Sequence, residues 1–189
     1  MKKLLLLVIA VSLLILNTQY NSSAEAAWEA PQWGQWFEPP TVILCNSAPI
    51  ERAQVESAMD WWRKRGHIFD EIIEEKQNPV FTKDVCKDPI SMMPWGYIII
   101  SEFTENVEHD PGDLAITTYL GTPVTREVMY AKIYLRPEFT QEQIVIHEVG
   151  HSLGFSHWHH KGHIMNPSME LAGYDDAGLR SLHRQDDGD

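Results

Sequence analysis

The sequence predicts one domain of the α+β class. Apolar runs of strand length and stretches with helical spacing both occur along the chain, so the two kinds of element are combined. The chain has 189 residues, and without an N-terminal leader this length is enough for one sizeable core and too short for a second module. We expect a twisted mixed β-sheet with two helices packed on one side. A small irregular part would follow from Gly154 on, with a cleft between the two parts.

Residues 1–26 are typical of a secretory signal peptide. Lys2 and Lys3 form the charged start, the run from Leu4 to Leu16 is the apolar core, and small residues precede a cleavage site after Ala26. The apolar run is shorter than the roughly 20 residues that a membrane-spanning helix needs. A cleaved signal is therefore favoured over a stable membrane anchor, and the mature protein is expected to be secreted, to the periplasm or the extracellular space.

Residues 27–40 form an aromatic-rich N-terminal segment with Trp28, Trp33, Trp36 and Phe37. Three interpretations remain open for it. The segment packs on the domain, it is the remnant of a propeptide, or its aromatic side chains bind a partner.

The predicted elements then follow in order. The stretch 49–65 predicts a helix, because Val55, Ala58, Met59 and Trp62 recur at helical spacing and Gly66 follows as a stop signal. Apolar runs of strand length predict five strands, at 41–44, 68–73, 97–103, 115–120 and 129–135.

Two more helices are predicted in the last third of the chain. Thr140 to Gln143 has the pattern of a capping box, so a helix should begin just after Thr140, with Ile144, Val145 and Val149 as its apolar side. The stretch 175–182 begins with carboxylates and predicts a closing helix.

The first of these helices carries a motif suited to binding a metal ion. His147 and His151 lie four residues apart, so both imidazoles project from one helix face, with Glu148 beside them. Gly154 can adopt the left-handed conformation that ends a helix, and the chain can then turn back to bring His157 in as a third ligand. Three protein ligands leave one position open, as in catalytic zinc sites.

These residues resemble the signature of the metzincin clan of zinc endopeptidases, which combines this extended motif with a methionine-containing turn. Here the turn would be His163–Pro167, with Met165 as an apolar floor under the imidazoles and Pro167 stiffening the turn. Glycine at Gly150 and proline after the turn make the chain most similar to the matrixin-type peptidases. Trp158 departs from that pattern, and we find no cysteine-containing propeptide motif.

The resemblance implies a metzincin-like catalytic domain at residues 41–189, with an active-site helix, a methionine turn and a C-terminal helix. It implies a zinc-dependent endopeptidase in which zinc activates a water molecule and Glu148 is the general base. It also implies that the strand at 115–120 is an edge strand that pairs with extended substrate. The partners would be peptides or proteins, and the enzyme would be a monomer.

Two other classes of function stay open. The chain is a catalytically silent zinc-binding or protein-interaction module, or it is a hydrolase of narrow specificity that acts on a cell-wall peptide. The presence of Glu148 argues against silence, because an inactive relative has no need of that carboxylate.

The two cysteines, Cys45 and Cys86, predict a disulfide in an exported protein, with two separate buried thiols as the alternative. The net charge of -12 argues against nucleic acid as a partner.

Two further groups of residues are weaker candidates for a second metal site. His159, His160 and His163 would form a second site, supply an alternative third ligand, or lie in a solvated loop, although the spacing favours His157 as the third ligand. His109, Asp110 and Asp113 would bind Ca²⁺ or a structural zinc ion, or form an ordinary turn.

Overall fold

The computed structural model describes residues 32–87, 95–104, 107, 112–159 and 162–168. The predicted signal peptide and the predicted closing helix at 175–182 lie outside these residues. Within these ranges no helix is both long enough and apolar enough to cross a membrane. In chain order the elements are β1 (Gln35–Trp36), β2 (Thr41–Leu44), α1 (Arg52–Arg63), β3 (Ile72–Glu74), α2 (Pro79–Lys87), β4 (Tyr97–Glu102), β5 (Ala115–Gly121), β6 (Glu127–Leu135) and α3 (Glu142–Ser152).

The strands form one mixed sheet in the order β1-β6-β4-β2-β3, and β5 pairs with β6. All pairs along that order are parallel, whereas β5 runs antiparallel to β6, with Thr117 opposite Ile133. Among the described residues β5 has no second strand partner, so its outer side is an edge of the sheet. The predicted α+β fold with a mixed sheet is therefore confirmed, and the strand predicted at 115–120 lies at an edge of the described sheet.

The alternation of side chains along the strands divides the core between the two faces of the sheet. On one face, apolar residues such as Val42, Ile98 and Ile133 pack with α1 and α3. On the other face, Ile43 and Ile99 join a smaller cluster with Val85 of α2. The two predicted helices do lie together on one side, but α2 on the opposite side was not predicted.

Helix α1 is an amphipathic helix whose apolar stripe was predicted correctly. Val55, Ala58, Met59 and Trp62 are all buried. The helix starts at a capping box formed by Glu51 and Gln54, and it ends before Gly66, which has a positive φ of 92°.

Two predictions about the ends of elements were wrong. The strand expected at 68–73 is shorter and later, since Ile68 is 58% exposed and pairing with β2 runs only from Ile72 to Glu74. The capping box expected at Thr140 does not form. The N-cap of α3 is Gln141, without a side-chain cap, and the carbonyl of Thr140 instead accepts a hydrogen bond from the Gln54 amide of α1.

The described part of the N-terminal segment packs on the domain, in agreement with the first of its three interpretations. Residues 35 and 36 form β1, and the ring of Trp33 stacks on Tyr119 of β5 with 3.9 Å between ring centroids. The structure also joins Cys45, which follows β2, to Cys86 of α2 in the predicted disulfide. This bond ties the smaller layer to the sheet.

Candidate metal centre

Helix α3 places two of the predicted ligands on one face. The ring centroids of His147 and His151 are 4.6 Å apart, as expected for positions i and i+4. Ile144, Val145 and Val149 are buried in the main core, so the helix is fixed against the sheet and α1. The backbone that carries both imidazoles is therefore rigid.

The end of α3 turns the chain back toward these two histidines. Gly154 has a φ of 94°, and its amide donates to the carbonyl of His151 at 2.9 Å. The amide of Phe155 donates to the carbonyl of Gly150 at 3.1 Å, which completes a Schellman motif. The turn brings the ring centroid of His157 to 4.6 Å from that of His151. The predicted roles of Gly154 in ending the helix and in redirecting the chain agree with this geometry.

The N-terminal segment satisfies carbonyl groups that the end of α3 leaves free. The indole of Trp36 donates to the carbonyl of Ser152 at 2.8 Å, and the amide of Trp33 donates to the carbonyl of Gly154 at 2.9 Å. A Cβ atom on Gly154 would lie 2.1 Å from the carbonyl oxygen of Gly34. Glycine is thus required at position 154 by close backbone contact as well as by conformation. No local sequence pattern indicates this contact, because the two segments are about 120 residues apart.

The three imidazoles form a group that can hold one metal ion. Ligand atoms of His147, His151 and His157 all lie within 4.8 Å of one another. The Nδ1 atom of His147 donates to the carbonyl of Ile164 at 2.6 Å, and the Nδ1 atom of His151 donates to the carbonyl of Phe155 at 2.8 Å. Because a carbonyl can only accept, Nδ1 carries the proton in both rings and Nε2 keeps its lone pair for a metal ion.

Burial also favours the form of these imidazoles that binds metal. Removal from water lowers the pKa of His147 to about 3 and that of His151 to about 4. Burial likewise lowers the pKa of His157. Neutral imidazole is the ligand form, so no proton has to be displaced from the first two rings near neutral pH.

The methionine turn packs directly beneath α3. The amide of Asn166 donates to the carbonyl of His163 at 2.9 Å, which closes a tight turn, and Pro167 follows it. Met165 is fully buried, and a Cβ atom on Gly150 would lie 2.5 Å from its sulfur. Glycine at position 150 therefore lets the turn approach the helix between the two helical ligands.

Among the histidine-rich metal candidates, His163 differs from expectation. His163 is buried, and its Nδ1 accepts a hydrogen bond from the amide of Met165 at 3.1 Å, so it belongs to the turn and not to a solvated loop. His159 is exposed, as a loop residue would be, whereas His160 lies outside the described ranges. In the part of the chain that the structure describes, neither His159 nor His163 belongs to a group of three metal-binding side chains.

Asp113 is the one described member of the predicted calcium site, since residues 109 and 110 are not among the described residues. Its charge is a minor influence on the histidine centre. It adds to the burial that raises the pKa of Glu148, and it partly opposes the burial that lowers the pKa of His157. The described residues do not place Asp113 in a group of three metal ligands. Cys45, Glu75 and Cys86 do lie close together, but both thiols are consumed by the disulfide.

Glu148 is a buried carboxyl group beside the histidines. Burial raises its pKa to about 7, and a hydrogen bond from Thr117 acts in the opposite direction. The Thr117 hydroxyl lies 2.6 Å from Oε2 of Glu148 and 3.2 Å from the Glu148 backbone carbonyl. The sequence analysis did not identify Thr117 as a site residue. The alternation of side chains along a strand predicts which face Thr117 lies on, but it does not predict which helix packs on that face.

The donor set fits a zinc ion. Zinc favours imidazole nitrogen, and a catalytic site uses three protein ligands whose second ring nitrogens are hydrogen-bonded. His147 and His151 meet both conditions. A buried carboxyl group one residue from a ligand is also where hydrolytic zinc sites need a proton acceptor.

Comparison with known proteins agrees with this geometry. The sequence profile of the family named Matrixin matches residues 50–187, which is more than half of the chain. The chain therefore belongs to the matrixin family, and its domain is of the zinc-metallopeptidase type. No curated protein matches it by sequence.

Proposed function

We propose that this matrixin is a secreted, zinc-dependent endopeptidase that cleaves peptide bonds in protein substrates. The observation that carries the proposal is the convergence of His147, His151 and His157 beside a buried Glu148. Two of the rings have Nδ1 committed to backbone carbonyls, so their Nε2 atoms are the ones available to a metal ion. A structural role alone does not require a buried carboxyl group next to such a group of ligands.

His147, His151 and His157 would hold one zinc ion, which supplies Lewis-acid activation of a water molecule and of the scissile carbonyl. Glu148 takes the proton of the attacking water and returns it to the leaving amine. Burial raises the pKa of Glu148 to about 7 in the metal-free chain, whereas the positive charge of a bound zinc ion would lower it. In the zinc-bound enzyme the carboxylate would therefore be ionised and ready to accept the proton of the attacking water.

Substrate binding is assigned to the outer edge of β5. An extended peptide can add to an open sheet edge through main-chain hydrogen bonds, which are largely independent of sequence. Among the described residues β5 pairs only with β6, and α3 packs against it, so a peptide at this edge would lie beside Glu148. The loop from Trp158 to Ile164 would then shape the pocket that selects a substrate side chain.

Three further residues support the centre in this proposal. Gly154 allows the turn to His157, Met165 packs under α3, and Pro167 stiffens the end of the methionine turn. The burial of Met165 against Gly150 supports its assignment as an apolar floor.

Export is part of the proposal. Residues 1–26 would be removed as a signal peptide, and a monomeric mature enzyme with its catalytic domain at 41–189 would act outside the cytoplasm. The disulfide between Cys45 and Cys86 supports this location, because such bonds persist in oxidising compartments.

The proposal is tested by separating metal binding from turnover. Glu148→Ala should keep one zinc per chain and lose peptidase activity by roughly 100-fold or more, as expected for loss of a general base. His151→Ala should lose both zinc and activity, because a ligand is removed. Glu138→Ala removes an exposed carboxyl group outside the ligand group, so it is the matched control and should keep both. Equal activity in the wild type and Glu148→Ala would exclude the proposed role of Glu148.

A further inference from the structure

We infer that Thr117 is a positioning residue that holds Glu148 in the orientation needed for proton transfer, a role that rests on the proposed function. The hydroxyl of Thr117 is 2.6 Å from Oε2 of Glu148. A hydrogen bond of this length to a carboxylate is of the short, charge-assisted kind, which is about twice as strong as a neutral one. The contact joins the edge strand directly to the candidate general base.

The hydrogen-bonding capacity of Thr117 favours one acceptor. A hydroxyl has a single proton, and two acceptors lie in reach, namely Oε2 at 2.6 Å and the Glu148 carbonyl at 3.2 Å. The shorter contact is the stronger one, so the proton is directed at Oε2. Within the described ranges no other group hydrogen-bonds to the Glu148 carboxylate, which leaves Oε1 as the oxygen that takes the proton from water.

The support behind Thr117 is rigid. Thr117 lies in the centre of β5 and is paired with Ile133, which is fully buried in β6. Its β-branched side chain has few rotamers in a strand. By contrast, a glutamate side chain has three rotatable bonds. Thr117 therefore removes freedom from Glu148 while losing little of its own.

The position of Thr117 also links the base to the substrate. In the proposed binding mode, the peptide lies along the outer edge of β5, the strand that carries Thr117. A base held by that strand keeps a fixed distance from the scissile bond when the strand shifts. We therefore expect Thr117 to affect the rate of the chemical step much more than substrate affinity.

The test compares three variants of the mature chain on a fluorogenic peptide that the wild type cleaves. Thr117→Val keeps the branched shape and removes the hydroxyl, whereas Thr117→Ser keeps the hydroxyl. Thr41→Val makes the same change in β2, where the hydroxyl also donates to a carboxylate, that of Asp70 at 3.1 Å, and it is the matched control because β4 and β6 separate β2 from β5. For each variant kcat, KM, zinc content and the thermal midpoint are measured.

Thr117→Val should lower kcat by roughly 10- to 100-fold, the range seen when a group behind a metal site is removed. Its KM should stay within about twofold and its zinc content should be unchanged, because neither β5 pairing nor the ligands are altered. Thr117→Ser should recover most of the lost kcat, and Thr41→Val should match the wild type. Recovery by serine distinguishes positioning from packing, since serine lacks the methyl group.

Several results would overturn the inference. An active wild type together with an equally active Thr117→Val would remove the role of Thr117 and leave the proposed function intact. The same holds if Thr117→Ser is as slow as Thr117→Val, or if Thr41→Val loses as much kcat. If Thr117→Val loses zinc or unfolds, the serine variant decides, and a folded Thr117→Ser with a low kcat would refute positioning. A zinc-loaded wild type that cleaves no peptide would remove the proposed function and this role with it.

Discussion

Replacing Gly154 with alanine is expected to destabilise the fold by about 2–5 kcal/mol, from two separable terms. Gly154 has a φ of 94°, and the left-handed conformation costs an alanine about 1–2 kcal/mol. A Cβ atom would also lie 2.1 Å from the carbonyl oxygen of Gly34. Forcing such an overlap in a packed region costs about 1–3 kcal/mol more.

Gly96 offers a control that carries only the first term. It has a φ of 86°, and a Cβ atom there would meet nothing within 4 Å. Gly96→Ala should therefore cost about 1–2 kcal/mol. The entropy that alanine removes from the unfolded chain applies to both variants and cancels in their difference. The difference of about 1–3 kcal/mol measures the contact between Gly154 and Gly34.

Urea unfolding of the metal-free chain, monitored by tryptophan fluorescence, measures the free energy of unfolding of both variants. A competition titration with a zinc chelator then measures metal affinity, which should fall in Gly154→Ala, because His157 follows the altered turn by three residues. The affinity should be unchanged in Gly96→Ala. Equal losses of stability in the two variants would refute the close contact between the N-terminal segment and the helix end.

Two further perturbations act on the disulfide and on protonation. Replacing Cys45 and Cys86 with alanine should cost about 4 kcal/mol, the loop-closure entropy for the sequence separation of 41, and a urea midpoint equal to that of the wild type would refute this. In the metal-free chain the pKa of His147 is lowered to about 3 and that of His151 to about 4, so protonation of these imidazoles at acid pH favours the unfolded state. The pKa of Glu148 is raised to about 7, so protonation of its carboxyl group favours the folded state. Between about pH 5.5 and 4.5 the unfolded state binds about one more proton net at these three groups, so the free energy of unfolding should fall by about 1.4 kcal/mol per pH unit on acidification; a free energy of unfolding that rises toward acid would contradict this.

Local spacing was sufficient to predict that His147, His151 and His157 come together. The positions of His147 and His151 follow from the helical repeat, and a glycine three residues later indicates the turn that brings in His157. The apolar stripe of α1 and most strands were predicted for the same reason, since their period is set by local geometry. These predictions depend only on residues that are close together in the sequence.

Contacts between distant segments could not be predicted in this way. Nothing in the neighbourhood of Trp36 shows that its indole donates to the end of α3, and nothing near Thr117 shows that Glu148 lies opposite. Likewise, nothing near Thr140 shows that its carbonyl accepts a hydrogen bond from the Gln54 amide of α1. Tertiary contacts decide each of these, and local propensity is a weak guide where they compete.

The burial of His163 shows the limit of composition. A run rich in histidine is typical of a solvated loop, yet this side chain receives the amide proton of Met165 inside the turn. Position within the turn, and not residue type, determines its surroundings.

Cleavage of a denatured protein such as casein by the purified mature chain decides whether this matrixin is a zinc-dependent endopeptidase. The chain with one zinc bound should cleave casein, lose this activity when a chelator removes the metal, and recover it when zinc is restored. Cleavage that persists after complete removal of zinc, or the absence of cleavage by a chain with one zinc bound, would contradict this prediction.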